Sequence, residues 1–273
     1  MPVGFGSGGV SKLTDITGGV DNVVLLPLPL PLPSSSSSAA SSSAEGTQVG
    51  ARLLFSSDVF VDEDAPAADP IAASAARDKD EDEDGINVVK YSSLPVRSWD
   101  RWLDAKMGHV FSATVPQESL SGGAAGSSAP PPPPLTSADA TDQLAGLATC
   151  CPSAPFGGTE DFSLSRDGRF LAFSARPVLA PDEAWATNRH IYVKASVAEA
   201  AGGAGSKEDE GLGLCLTLDN PEGYDTNPVF SPDGSTLAWL SMSTPQYEAD
   251  AARVKLCTLQ EIGGKLTPGP VRT

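Results

Sequence analysis

An all-β fold is what this sequence predicts, and three observations predict it. Residues 161–175, DFSLSRDGRFLAFSA, and residues 227–241, NPVFSPDGSTLAWLS, carry one pattern at an offset of 66 residues. Ser165 falls on Ser231, Asp167 on Asp233, Gly168 on Gly234, Leu171 on Leu237 and Phe173 on Trp239. A degraded third copy, GARLLFSSDVF, keeps the spacing of Gly50, Leu53 and Phe55. After each copy comes a strand of a second kind: HVFSATV at 109–115, HIYVKASV at 190–197 and ARVKLCTL at 252–259.

Each element follows from elementary constraints. Pro232-Asp233-Gly234 is a tight-turn sequence, because proline presets φ and glycine tolerates positive φ. Beyond it Leu237 and Trp239 alternate with Thr236 and Ala238, the period of a strand with one large apolar face. Short Leu-Thr segments, KLTDITGGVDN at 12–22 and CLTLDNPEGYDTN at 215–227, precede the repeats. Helical periodicity of useful length is not found in this unit. Multi-stranded units repeated at tens of residues predict a β-propeller, with an antiparallel sandwich as the alternative. Propellers close with about four to eight blades. This chain supplies about three, so a partial β-propeller is expected.

Low-complexity sequence interrupts these units. Residues 27–45 read PLPLPLPSSSSSAASSSAE, and 121–158 are largely Ala, Gly, Ser and Pro, with five prolines at 130–134. Such segments bury too little apolar surface to offset their ordering entropy. The expected organisation is therefore as follows. Residues 1–9 are disordered. Residues 10–116 form the first propeller module or modules, interrupted by disordered 27–48 and an acidic loop at 62–85. A low-complexity linker spans 117–157, one blade spans 158–218, and another spans 219–273 and is cut short at its C-terminus.

The charge of −17 is concentrated, with ten acidic and two basic residues between Asp62 and Asp84. A solvated loop accounts for such a run. The balance excludes a nucleic-acid partner, which needs a basic face. DEDEDGI imitates a calcium loop through Asp80, Asp82, Asp84 and Gly85, but the position of the bidentate Glu is Tyr91, so no metal site is expected. The cysteines Cys150, Cys151, Cys215 and Cys257 lack metal-ligand spacing and read as free thiols, the last two as strand residues. No apolar stretch is long enough to span a bilayer, and no secretory signal is visible, so a cytoplasmic location without a membrane partner is expected.

The segments ARLLFSSDVFVDED, RSWDRW at Arg97–Trp102, EAW at Glu183–Trp185 and YDTNPVFSPDG follow one another in an order that carries a resemblance. Across about residues 10–26, 50–116 and 158–260 the chain resembles the propeller portion of dipeptidyl-peptidase V. That family belongs to the prolyl oligopeptidase group of serine peptidases, with the acylaminoacyl peptidases. The resemblance implies a propeller that caps an α/β-hydrolase domain in cis and restricts entry to short peptide substrates. It implies amide hydrolysis through an acyl-serine intermediate, without metal or cofactor. The similarity ends within the propeller.

The residues themselves provide no catalytic set. A nucleophile elbow needs glycine on both sides of the serine, in the pattern G-x-S-x-G. No serine has both: Ser7 has Phe5 and Gly9, and Ser121 has Ser119 and Gly123. His109 and His190 occupy equivalent positions at the start of matching strands, which gives them a structural reading in place of the triad base. The expectation is a chain inactive alone, with no catalytic residue. For substrate contact the candidates are Glu183 beside Trp185, with Arg97 and Asp100 behind them. The bland alternative is that Trp99, Trp102 and Trp185 pack between blades. A non-catalytic propeller scaffold for protein interaction is the alternative function. A third reading takes the insertion between Val24 and Gly50 as intervening sequence translated into a truncated product.

Overall fold

A computed structural model describes residues 12–28, 49–62, 67–85, 88, 90–91, 94–98, 100–103, 105–120, 132–154, 156–176, 184–196, 211–262 and 265–273. The expected disorder of 1–9 and most of 27–48 lies outside them.

Three four-stranded antiparallel sheets follow one another along the chain. The first contains β1 (Asp21–Pro27), β2 (Val49–Phe60), β5 (Lys106–Pro116) and β6 (Ala140–Asp142). Helix α1 (Pro70–Glu83) and the small hairpin β3 (Arg97–Ser98) and β4 (Arg101–Trp102) are inserted between β2 and β5. The second sheet contains β7 (Phe162–Leu164), β8 (Phe170–Ala175), β9 (His190–Ala195) and β10 (Leu214–Cys215). The third contains β11 (Tyr224–Phe230), β12 (Thr236–Met242), β13 (Arg253–Ile262) and β14 (Lys265–Pro268). Each sheet is a meander in chain order, and the three do not close on themselves. This is the all-β, partial-propeller architecture.

The repeat is the blade. Copies of the pattern form the second strand of each sheet, β2, β8 and β12, and the second kind of strand forms the third, β5, β9 and β13. Both Asp-Gly turns use one network. Gly168 and Gly234 have φ of 77° and 72°, and each donates its N–H to the carbonyl of Ser165 or Ser231 at 2.8 Å. The serine hydroxyl of each turn donates to its aspartate and accepts from the first N–H of the next strand, Phe170 or Thr236. Hydrogen bonds from Ser231 and Ser235 hold the Asp233 carboxyl down at about 2.

Period-two alternation then stacks the blades. On β8 and β9, Leu171, Phe173, Ala175 and Tyr192 face the first sheet, where they meet Leu54, Val110 and Leu144. Their neighbours Ala172, Ile191 and Val193 face the third sheet and pack on Phe230, Leu237, Trp239 and Cys257. Phe55 and Phe111 stack at 5.5 Å between centroids on the far face of the first sheet, and Phe173 and Tyr192 stack at 5.8 Å in the second.

Two stretches differ from the sequence reading. The acidic run is helical, not a loop. Asp69 caps α1, its carboxylate accepting from the Ala72 N–H at 2.9 Å, and Pro70 opens the first turn. Ile71 inserts among Leu53, Phe55 and Phe111, while Arg77 and Lys79 pair with Glu81 and Glu83 one turn on. Arg77 also lies over the Phe60 ring at 3.8 Å. Asp80 and Asp82 therefore project from a helix, an arrangement unlike a calcium loop.

The second difference lies in 117–157. From Leu135 onward this segment is built into the first blade. The Leu135 N–H donates to the Leu13 carbonyl at 2.9 Å and its carbonyl accepts from the Asp15 N–H at 2.7 Å, β6 pairs with β5, and Leu144 and Cys151 are fully buried. The sequence signal is Leu135-Thr136, a further Leu-Thr segment hidden behind the proline run.

Lys194, on the face of β9 directed at the first blade, donates to the carbonyls of Gln143 at 2.6 Å and Gly211 at 3.0 Å. Burial pushes its ammonium down to about 8, with Asp142 opposing. A depressed folded-state value means that Lys194 contributes stability above its unfolded value near 10.5, lost as pH falls through about 8. The stability of the wild type relative to Lys194→Met should therefore rise between pH 8 and pH 10.5. Urea unfolding at both pH values checks this: a pH-independent difference would place the ammonium in water.

Candidate functional site

Where the second and third blades meet, the backbone of β9 is bridged directly to that of β11. The Arg189 N–H donates to the Gly223 carbonyl at 3.0 Å, and the Asp225 N–H donates to the Arg189 carbonyl at 3.1 Å. The Ser174 hydroxyl adds a bond of 2.7 Å to the Asp225 carbonyl. Around this junction opens a cavity of about 480 Å³. That volume is within the range of small-molecule sites.

Five separate segments line the cavity. The 153–161 loop contributes Ser153, Phe156, Glu160 and Asp161, and the approach to β9 contributes Thr187 and Arg189. Arg176 follows β8, Glu222, Tyr224 and Thr226 come from β11 and the turn before it, and Tyr247 and Glu248 come from the β12–β13 connection. Asp161 holds the loop in place. Its carboxylate accepts from the Ser153 N–H and hydroxyl, and from the Thr226 hydroxyl of the neighbouring blade at 2.9 Å. Glu160, Glu222 and Glu248 are exposed at the rim, so the mouth is anionic. Phe156 and Tyr247 offer exposed aromatic surface beside them.

Behind the cavity lies a second polar cluster. Asp225, fully buried, accepts from Trp239 Nε1 at 3.1 Å and Asn220 Nδ2 at 3.0 Å. Burial raises its carboxyl above the usual range, against the hydrogen bonds of Ser241, Asn220 and Trp239. His190 is lowered by its own burial, with Asp225 opposing, and its Nδ1 lies 3.1 Å from the Thr217 hydroxyl. His109, at the equivalent place in the first blade, has Nδ1 2.9 Å from Asp142 Oδ2 and Nε2 3.1 Å from the Leu147 carbonyl. Each histidine thus ties its third strand to a chain segment that follows, the structural role expected of their equivalence.

The residues singled out from sequence fall in different places. Glu183 lies outside the described residues. Trp185 is 68% exposed on the segment leading into β9, two residues before the cavity residue Thr187. Arg97 and Asp100 belong to the β3–β4 hairpin, where the Arg97 guanidinium sits 5.8 Å from the Trp102 ring. None of Trp185, Arg97 and Asp100 is among the cavity-lining residues. Trp102, also 68% exposed, and Trp185 do not pack between blades, contrary to the alternative expectation. Sequence reasoning missed Arg189, Glu222, Tyr224 and Tyr247. Only YDTN at 224–227 had drawn attention, and then as a family signature.

Among the described residues no group of three or more His, Cys, Asp or Glu is placed to hold a metal ion. No helix among them is long and apolar enough to cross a membrane.

Comparison with known proteins bears on what this junction serves. The chain is 32% identical over 162 residues to a probable dipeptidyl-peptidase 5 of Aspergillus niger, covering 59% of this chain and 20% of that protein. It is 25% identical over 210 residues to dipeptidyl-peptidase 5 of Porphyromonas endodontalis, covering 77% and 24%. A probable dipeptidyl-peptidase 5 of Emericella nidulans is 32% identical over 185 residues, covering 65% and 22%. The chain is thus similar to proteins named dipeptidyl-peptidase 5. It spans between a fifth and a quarter of the length of these relatives. No family model matches it. The similarity supports a relationship to dipeptidyl-peptidase V-like serine peptidases.

Proposed function

We propose that this chain is the substrate-gating propeller portion of a serine-type peptidase that releases short peptides from N-termini, with an α/β-hydrolase domain in cis supplying the triad. The observation that carries the reading is the cavity between the second and third blades, whose mouth presents Glu160, Glu222 and Glu248 beside Phe156 and Tyr247. Carboxylates beside aromatic walls suit the N-terminal ammonium of a short peptide, through ion pairing and cation–π attraction. The chain's own residues bind and orient. No nucleophile elbow occurs in its sequence, so bond cleavage belongs to another domain.

Trp185, Arg97, Asp100 and Glu183 extend this proposal as contacts for longer peptides. The exposed Leu218, Val229 and Val254 favour a second reading, an association surface of a scaffold.

Binding of a free dipeptide and of its N-acetylated form to the purified chain tests the first reading. The free amine should bind about tenfold more tightly, the scale of one charge-assisted contact. Substituting all three rim glutamates by glutamine should erase the difference. Equal binding of the two peptides by the unaltered chain would overturn it.

A further inference from the structure

Among the described residues, no hydrogen bond or ion pair accounts for the buried Arg189 guanidinium. The residue is only 7% exposed, and its Nη1 makes no hydrogen bond. No ion pair forms between it and any carboxylate of the described residues. Asp161 lines the same cavity, but its carboxylate accepts from Ser153 and Thr226 and forms no ion pair with Arg189. A buried cation without a partner costs more than almost any other single feature, unless something occupies the space in front of it.

The backbone makes this position deliberate. Arg189 is bonded on both sides to β11, through Gly223 and Asp225, so its side chain leaves a fixed point at the blade junction. It lines the same cavity whose mouth carries Glu160, Glu222 and Glu248. Carboxylates thus stand at the exposed rim, while the Arg189 guanidinium is buried without a partner among the described residues; Arg176 and the buried Asp161 carboxylate complete the charged lining. Tyr224, Met242 and Phe156 line the space with aromatic and apolar surface.

We infer that Arg189 receives the free α-carboxylate of a short peptide whose ammonium lies at the acidic rim, so that the cavity takes a free dipeptide of the kind the proposed peptidase releases. The inference rests on the peptide-binding reading and adds the second end of the ligand. Guanidinium suits a carboxylate because its planar fork can donate two parallel bonds. A longer substrate, whose C-terminus lies elsewhere, presents only a neutral carbonyl to Arg189. The site therefore discriminates released product from uncleaved substrate.

The test compares glycyl-phenylalanine with its C-terminal amide by calorimetric titration of the unaltered chain at 0.15 M salt, where long-range attraction to the acidic rim is screened. The free acid should bind about tenfold or more tightly than the amide, although the amide, lacking the carboxylate, is net positive and the free acid is neutral overall. Arg189→Gln should remove that preference while the amide retains its affinity, and Arg189→Lys should keep part of it. If acid and amide bind equally, the carboxylate role of Arg189 falls while peptide binding stands. If neither binds, both fall. Because the decisive comparison uses the unaltered chain, a variant that fails to fold does not obscure it.

Discussion

Replacing Trp239 by alanine should cost about 3–5 kcal/mol, the range for truncating a large buried aromatic residue, and should leave the third blade detached or the chain unfolded. Trp239 is 2% exposed and sits in the cluster that joins Ala172, Ile191 and Val193 of the second blade to Leu237 and Cys257 of the third. Its indole also donates to Asp225. Trp239→Phe separates the two contributions. Phenylalanine retains most of the apolar contact and removes the donor, so a loss of about 1–3 kcal/mol is expected from the missing hydrogen bond to the buried carboxylate, which keeps Asn220 and Ser241.

The sign of the pH dependence follows from Asp225. Burial raises its folded-state value, so its contribution to stability is present below the unfolded value of 3.8 and is lost as pH rises through the folded one. Removing a donor to the carboxylate raises the folded value further. The deficit of Trp239→Phe relative to wild type should therefore shrink on acidification into the carboxylate range. Chemical denaturation at pH 7 and pH 4.5 measures this, and a deficit that grows in acid would contradict the assignment.

Asp161→Ala should be the next most damaging change and should also affect binding. Its carboxylate is 2% exposed and satisfies three donors, the Ser153 N–H, the Ser153 hydroxyl and the Thr226 hydroxyl. Truncation strands these groups near the blade junction, at a total of about 3 kcal/mol with partial rehydration. The same bonds fix the loop that carries Phe156 and Glu160 over the cavity. At Gly157, a Cβ would collide with Asp161 and with the Ser153 backbone, so the loop has little room to shift and survive. Thermal unfolding and dipeptide titration of the variant should show a lower midpoint and weakened binding together. Weakened stability with unchanged affinity would remove this loop from the site.

What the sequence disclosed and what it concealed have physical reasons. The blades were legible because the second and third repeat a local code, a Ser-x-Asp-Gly turn whose side chains satisfy its own backbone, and all three follow it or its glycine with Leu and an aromatic at period two. The placement of His109 and His190 followed from that code. Helix α1 was hidden because its charges read as solvated coil, and its decisive signals are single residues, Asp69 as cap and Ile71 as anchor. Strand β6 was hidden by the proline run before it, although Leu135-Thr136 repeats the segment at Leu13-Thr14. The cavity had no local signature. It is assembled from five segments between Ser153 and Glu248, and its distinguishing group, Arg189, stands out only through burial and the absence of a partner among the described residues.

The reading of this chain as a binding and gating module, with cleavage performed by another domain, is tested most directly by one assay. The purified 273-residue chain is incubated with a dipeptidyl p-nitroanilide, with and without a serine-directed fluorophosphonate, after the preparation has been shown to bind a free dipeptide. The expected result is no chromophore release above buffer and no effect of the inhibitor. Release that the fluorophosphonate abolishes would show a nucleophilic serine within these residues and would contradict the account.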